Sequence, residues 1–258
     1  MFNFIRYLKR IQITYLKNKF KIITMKKYLL TGFAFCCIAF TAIAQTTEEI
    51  IKKHIEAIGG KENWDKLKSM RSEGTVKAQG AEIKITNTQI DKKASRTDIA
   101  LMGMVGYNIL TTTEGWNFMP FQGQTKPEPI TADDLKSGQE QLDIKDEFLT
   151  YKEKEKKLED LGKDDVDGTE CFKLKLTNKI GTETTFYIDP SNYYIIKQTV
   201  KMTVNGKEME NSSTFSNYKK TDGGIVLAMS IGGGFGDMEI TKVEVNPTID
   251  ESIFKLPK

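Results

Sequence analysis

Residues 172–200 read FKLKLTNKIGTETTFYIDPSNYYIIKQTV. Phe172, Leu174 and Leu176 alternate with Lys173 and Lys175. After Lys179-Ile180-Gly181 the alternation resumes, with Thr184, Phe186 and Ile188 set against Glu183, Thr185 and Tyr187. Asp189-Pro190-Ser191-Asn192 then leads into a third run, in which Tyr194, Ile196, Val200 and Met202 fall on one side. A period of two with one apolar side describes a strand that has one wet face and one buried face. The connectors carry hairpin chemistry, with Gly, Pro, Asn and Asp where a tight turn needs them. Strands joined this tightly are antiparallel, because parallel neighbours require a crossover of about a dozen residues.

The same pattern extends both ways. Ala81, Ile83 and Ile85 alternate with Glu82, Lys84 and Thr86, and Met238 and Ile240 repeat it near the end. Asn205-Gly206 and Asp222-Gly223-Gly224 supply further turns. From Met70 onward the expected structure is a meander of about nine to eleven strands. A sheet of that size curls, and its apolar face must be covered.

The cover is sought in the remaining segments. Thr46 to Ile58 reads as a helix: Thr46 and Glu49 form a capping box, Ile51, Ile55 and Ile58 repeat at helical spacing, and Gly59-Gly60 ends it. A short second helix over about 61–68 presents Trp64 and Leu67. A Gly-, Gln- and Pro-rich stretch from Phe121 to Thr131 interrupts the meander. Thr131 can cap a helix that starts at Ala132-Asp133-Asp134. Helix 132–150, with Leu135, Leu142, Phe148 and Leu149 as its apolar contacts, is expected to act with the preceding loop as a movable lid. The Lys152 to Lys157 charge run reads as a solvated helix end.

The chain has 258 residues, a net charge of +3 and 39% hydrophobic residues, which is a globular composition. The positive charge is concentrated at one end. Residues 1–44 hold eight basic residues and no acidic one, so that removing them from 38 leaves 30 basic against 35 acidic residues, a net of −5. A mildly acidic mature chain argues against binding to phosphate backbones, and no nucleic-acid partner is expected. Met25-Lys26-Lys27, the apolar run Tyr28 to Ile43 and the small-x-small signal Ala42-Ile43-Ala44 form a secretory signal peptide over 25–44, cleaved after Ala44. Residues 1–24 read as an upstream extension outside the fold, and 45–258 as a single β-domain. The expected location is the periplasm or cell envelope. Cys36 and Cys37 leave with the signal, and Phe35 before Cys36 does not suit a lipoprotein signal. Cys171 alone can form neither an intramolecular disulfide nor a cysteine metal cluster.

Catalytic signals are weak throughout. His54, the only histidine, borders the apolar stripe of the first helix, and no Gly-x-Ser-x-Gly elbow accompanies it. Asp133-Asp134 and Asp164-Asp165 with Asp167 are explained by capping and turn formation, although facing carboxylates could serve a hydrolase. Gly232-Gly233-Gly234-Phe235-Gly236 lacks the helix that must follow a phosphate loop and reads as a hairpin tip. Nothing activates Cys171. We therefore expect no enzyme, no catalytic residues, no cofactor and no metal.

The apolar side chains remain. Ile99, Leu101, Met102, Met104 and Val105 form one patch, and Trp116, Phe118 and Phe121 another. In a curled sheet part of such a face can stay open as a cavity, and adaptable Met side chains suit flexible hydrocarbon. The candidates for its lining are Ile83, Ile85, Leu101, Met104, Trp116, Phe118, Leu174, Phe186, Ile196, Met202 and Met238.

The order of these features resembles a known family. A signal peptide precedes a helix ending Ala57-Ile58-Gly59-Gly60, and Trp64, Leu67, Gly74 and Glu114-Gly115-Trp116 follow. The second half carries Asp167-Gly168-Thr169-Glu170-Cys171-Phe172, Thr184 to Asp189, Phe215-Ser216-Asn217-Tyr218, Asp222-Gly223, Glu244 to Pro247, and Phe254 to Pro257. This is similar to the outer-membrane lipoprotein-sorting, LolA-like family of periplasmic proteins. The resemblance implies a mainly antiparallel, curled, unclosed β-barrel covered by a few helices, enclosing an apolar cavity for the acyl chains of lipids or lipoproteins. The expected protein is a monomeric carrier that makes transient contact with the envelope membrane or its proteins. The alternative is a ligand-free structural or protein-interaction module of the envelope.

Overall fold

A computed structural model describes residues 45–256, except Gln79, Asn205, Gly206 and Phe235. The expected signal peptide, the upstream extension and the Asn205-Gly206 turn lie outside the described residues. The described residues form one sheet of thirteen strands, every neighbouring pair antiparallel. The strands are β1 (Ser69–Ala78), β2 (Ala81–Ile90), β3 (Ala94–Leu101), β4 (Met104–Thr111), β5 (Gly115–Phe118) and β6 (Glu128–Pro129). After a break come β7 (Lys157–Val166), β8 (Thr169–Thr177), β9 (Glu183–Ile188) and β10 (Ile195–Val204). The last three are β11 (Lys207–Lys220), β12 (Val226–Gly233) and β13 (Asp237–Val245).

The order across the sheet is β6-β5-β4-β3-β2-β1-β13-β12-β11-β10-β9-β8-β7. Consecutive strands are therefore neighbours everywhere except at one place. β1 pairs with β13 in the middle, while β6 and β7, adjacent in sequence, form the two outer edges. The sheet is a curled meander left unclosed between β6 and β7. Its thirteen strands exceed the expected nine to eleven because neither edge has an alternating signature. β6 is two residues long and contains Pro129. β7 reads KLEDLGKDDV, is mostly exposed, and bulges between Asp160 and Lys163. Charge, proline and bulges are what keep an edge from pairing with another chain.

Residues 130–156 run from one edge to the other. This strap contains α3 (Ala132–Gly138), a 3₁₀ turn (Gln139–Leu142) and α4 (Glu147–Thr150). Thr131 caps α3, its hydroxyl accepting from the Asp134 amide. The continuous helix expected over 132–150 is broken at Asp143–Asp146. There the Asp143 carboxylate accepts from the Lys145 amide and that of Asp146 from the Phe148 amide. Aspartates that bond to nearby backbone compete with the helical ladder. The strap is pinned to the β2–β3 turn, where the Lys92 amide donates to the Leu142 carbonyl (2.8 Å) and Gln89 Nε2 to the Gln141 carbonyl (2.7 Å).

α1 (Thr47–Ala57) and α2 (Lys61–Asp65) cover the same inner face. Ile50, Ile51 and Phe148 pack on Leu174, Leu176, Phe186 and Ile188. Ile58, Trp64 and Leu67 pack with Ile144 and Ile225. Each fully buried aliphatic side chain contributes about 2 kcal/mol. The α1–α2 corner depends on Gly59, whose φ of 107° disfavours any side chain, and where a Cβ would run into the Gly224 carbonyl. The outer face also carries apolar clusters, one of them beneath the C-terminal segment. Ala94, Tyr107 and Ile109 lie under Phe254 of a C-terminal 3₁₀ turn. Arg96 ties that turn down, bonding Asp98 and the Ile253 carbonyl (2.8 Å) while lying over the Tyr107 ring.

Candidate ligand site

Register sorts the apolar residues by face, because directly paired residues of antiparallel strands point the same way. One inner row runs Gly106–Ile99–Ile85–Gly74–Ile240 across β4, β3, β2, β1 and β13. Another runs Ile83–Val76–Met238–Ile231–Phe215 across β2, β1, β13, β12 and β11. Leu101 shares this face with Ile99 and pairs with Met104. None of Ile83, Ile85, Ile99, Met238 and Ile240 belongs to the clusters packed under the helices, and each is half-buried. Gly74 lets the Met238 side chain and the β13 backbone approach closely: a Cβ there would lie 2.8 Å from both the Glu239 carbonyl and the Met238 methyl.

The rows lead into a cavity of about 330 Å³ between α1, α2, the strap and the sheet. Ile58, Trp64, Phe186, Phe215, Ile231 and Ile240 are among its walls. Such a volume lies at the lower end of the range for small-molecule sites, about 300–1,000 Å³.

The polar end of the cavity is built around His54 and Asp146. His54 is 1% exposed and edge-on to Phe148. Its Nδ1 lies 2.7 Å from the Tyr193 carbonyl, and its Nε2 lies 3.3 Å from Asp146 Oδ2. A carbonyl can only accept, so Nδ1 carries a proton and donates. A hydrogen bond from Nε2 to the carboxylate needs the second ring proton. Burial pulls the imidazole pKa down. The charge and hydrogen bond of Asp146 and the Tyr193 carbonyl outweigh it, so the net shift is upward from the ordinary histidine value. Tyr218, also lining the cavity, donates to the Ile195 carbonyl (2.6 Å), and burial, with Asp146 second, holds its phenol protonated well above the usual range.

A second cavity of about 590 Å³ adjoins the first, with Lys145, Glu147 and Gln198 lining both. Its floor includes Leu176, Val200 and Met202. Lys156 bridges Glu147 (3.0 Å) and Glu140 (3.2 Å), and Lys154 pairs with Asp143 (2.9 Å). Burial lowers the Lys156 pKa, and its two glutamates more than offset this and raise it overall.

The residues expected to line a cavity are distributed as follows. Ile83, Ile85, Leu101, Met104 and Met238 share the uncovered inner rows. Leu174 and Phe186 lie in the core under α1 and α4, and Phe186 also reaches the first cavity. Met202 lines the second. Trp116 and Phe118 pair with Ile109 and Tyr107 and lie on the outer face, under the C-terminal segment. Ile196 does not share a side with Val200 and Met202. A bulge between Ile195 and Lys197 turns it outward, against the cluster of Val166, Cys171 and Tyr187. Sequence reading missed the pairing of His54 with Asp146, which are 92 residues apart. It also missed Ile231 and Ile240 as cavity walls. The Asp146-x-Phe148 spacing of an N-cap was the one available signal.

Asp134 and Asp164, from the two acidic stretches singled out in the sequence, do not face each other across a cleft. Asp134 takes part in the α3 cap, whereas Asp164 lies exposed on β7 and pairs with Lys173 (2.8 Å). Among the described residues no group of three or more His, Cys, Asp or Glu could hold a metal ion. Cys171 is fully buried, and burial, followed by the nearby aspartates, pushes its thiol up to about 11.

No family model matches the sequence. No curated protein matches it either. Solved structures do. A LolA superfamily protein from Nitrosomonas europaea superposes with a TM-score of 0.52 at 14% identity, covering 82% of this chain and 98% of that one. A DUF1329 family protein from Desulfovibrio piger gives 0.51 at 13% identity, over 81% and 96%. A domain assigned to outer membrane lipoprotein sorting in Vibrio parahaemolyticus gives 0.48 at 14% identity, over 80% and 94%. The protein shares its unclosed antiparallel half-barrel fold with that LolA superfamily protein.

Proposed function

We propose that this protein is a non-catalytic carrier of the cell envelope that holds an acyl chain of a lipid or lipoprotein against its inner face. One observation carries the reading. Two directly paired apolar rows lie outside the helix-covered core and run into the cavity walls at Ile231 and Ile240. Half-buried aliphatic surface of this extent is costly to leave wet, and hydrocarbon laid on it gains about 0.8 kcal/mol per CH₂ buried. The fold shared with a LolA superfamily protein supports the same reading. So does the basic, apolar segment over 25–44, which reads as an export signal with cleavage after Ala44.

Native mass spectrometry of protein purified from envelope extracts tests the proposal, together with displacement of a fluorescent fatty acid. Co-purifying lipid and saturable displacement are expected. A lipid-free preparation that displaces no probe would sink it.

The β3–β4 tip favours a second reading, that of a protein-interaction module. Met102 is 81% exposed and Val105 54%, on a hairpin beside the open end of the rows. A carrier that hands over its cargo also needs such a contact.

A further inference from the structure

The two cavities differ in chemistry and share a neck. Lys145, Glu147 and Gln198 line both. Beyond them the second cavity keeps an apolar floor, but its walls are hydrogen-bonding and charged. The charged groups are Lys145, Lys154 and Lys156 against Glu140, Asp143 and Glu147, which cancel. Each lysine already has an acidic partner, with Lys145 reaching Asp65 at 3.5 Å. An anionic or cationic group entering here would break an existing pair to form a new one, for no net gain. The neutral groups are different. The side chains of Thr182, Thr184, Gln198 and Asn211 line this cavity and make no hydrogen bond among the described residues. Thr184 is only 7% exposed. Thr182 and Gln198 are half-buried and Asn211 is exposed, so these hydroxyls and amides are free to bind a polar guest.

We infer that the cavities form one bipartite site for a single-chain amphiphile. The hydrocarbon tail occupies the 330 Å³ apolar compartment. The polar head, carrying no charged group, occupies the 590 Å³ compartment beyond Gln198. The inference rests on the carrier reading and names the class of ligand it takes. Size sets the tail. A cavity of about 150 Å³ accommodates benzene, so 330 Å³ holds about a dozen carbons, one chain rather than several.

Calorimetric titration below the micelle concentration, using four dodecyl amphiphiles, tests this. The heads are maltoside, phosphocholine, carboxylate and trimethylammonium. Maltoside, the one head without any charged group, is expected to bind at least about tenfold more tightly than the three heads that carry charges. Thr182→Val with Asn211→Ala should weaken maltoside binding about fivefold for each hydrogen bond lost. The same variant should leave benzene binding unchanged, since benzene reports only on the apolar compartment and on a correct fold. Equal affinity for all four heads would overturn the inference, as would a variant that binds maltoside undiminished. Benzene binding without any binding of the maltoside would overturn it while leaving the apolar site standing. Failure of benzene and all four amphiphiles would overturn the carrier reading itself.

Discussion

Replacing His54 by leucine isolates the contact that holds the strap to α1. In the folded protein the imidazolium bridges the Tyr193 carbonyl and Asp146, and Asp146 caps α4 with its other oxygen. Removing one partner of a buried ion pair leaves the other uncompensated, at about 3–5 kcal/mol. The Asp146 side chain keeps 15% exposure, which places the loss near the low end, about 3 kcal/mol. The folded-state pKa of His54 is raised, so the folded protein holds this proton more tightly than the unfolded chain. Its contribution is complete below about pH 6.5 and is lost as pH rises through the folded value. As pH rises towards 9 and the imidazole gives up its extra proton, the variant comes to lack only the bond to Tyr193 relative to the wild type, about 1–1.5 kcal/mol. For a domain near 200 residues this corresponds to Tm losses of about 6–12 °C at pH 6 and about 2–6 °C at pH 9. Thermal unfolding followed by circular dichroism at both pH values reads the difference, and pairing variant with wild type at each pH cancels the other titrating groups. A loss equal at both pH values, or larger at pH 9, would refute a protonated His54.

Further outcomes follow from the cavity and core. Ala228→Trp, which places an indole in the cavity wall, should abolish displacement of a fluorescent fatty acid while costing about 1–3 kcal/mol of stability by urea titration. Leu174→Ala, at a fully buried position under α1, should cost about 3–5 kcal/mol, read by the same titration. The buried Cys171 thiol, pushed up to about 11, should resist an aromatic disulfide reagent at pH 8 in the native protein and react at once in urea.

The antiparallel meander was legible because Ile83/Ile85, Leu174/Leu176 and Phe186/Ile188 alternate without interruption between strong turns. Alternation shows that two residues share a face, but not which face. Trp116 and Phe118 do share one, and it is the outer face, because the C-terminal segment supplies apolar cover that nothing local to β5 announces. Ile196 was misplaced by a bulge, a single extra residue that shifts the period without altering composition. β7 gave no apolar signal because an edge strand is written for solvent. His54 was read correctly as bordering the apolar stripe, yet its carboxylate partner comes from a segment distant in sequence, and only tertiary structure joins them.

Between β6 and β7 no ladder has to be unzipped. Widening the mouth of the half-barrel breaks no strand-to-strand hydrogen bond, so resistance to swelling comes from the packing of residues 130–156 and their few hydrogen-bond and ionic ties to the sheet and α1. Amides of the central strands can stay protected for as long as the fold lasts, while the strap opens and recloses many times. Guest exchange can thus be tuned by substitutions in one short segment, with the architecture behind it untouched.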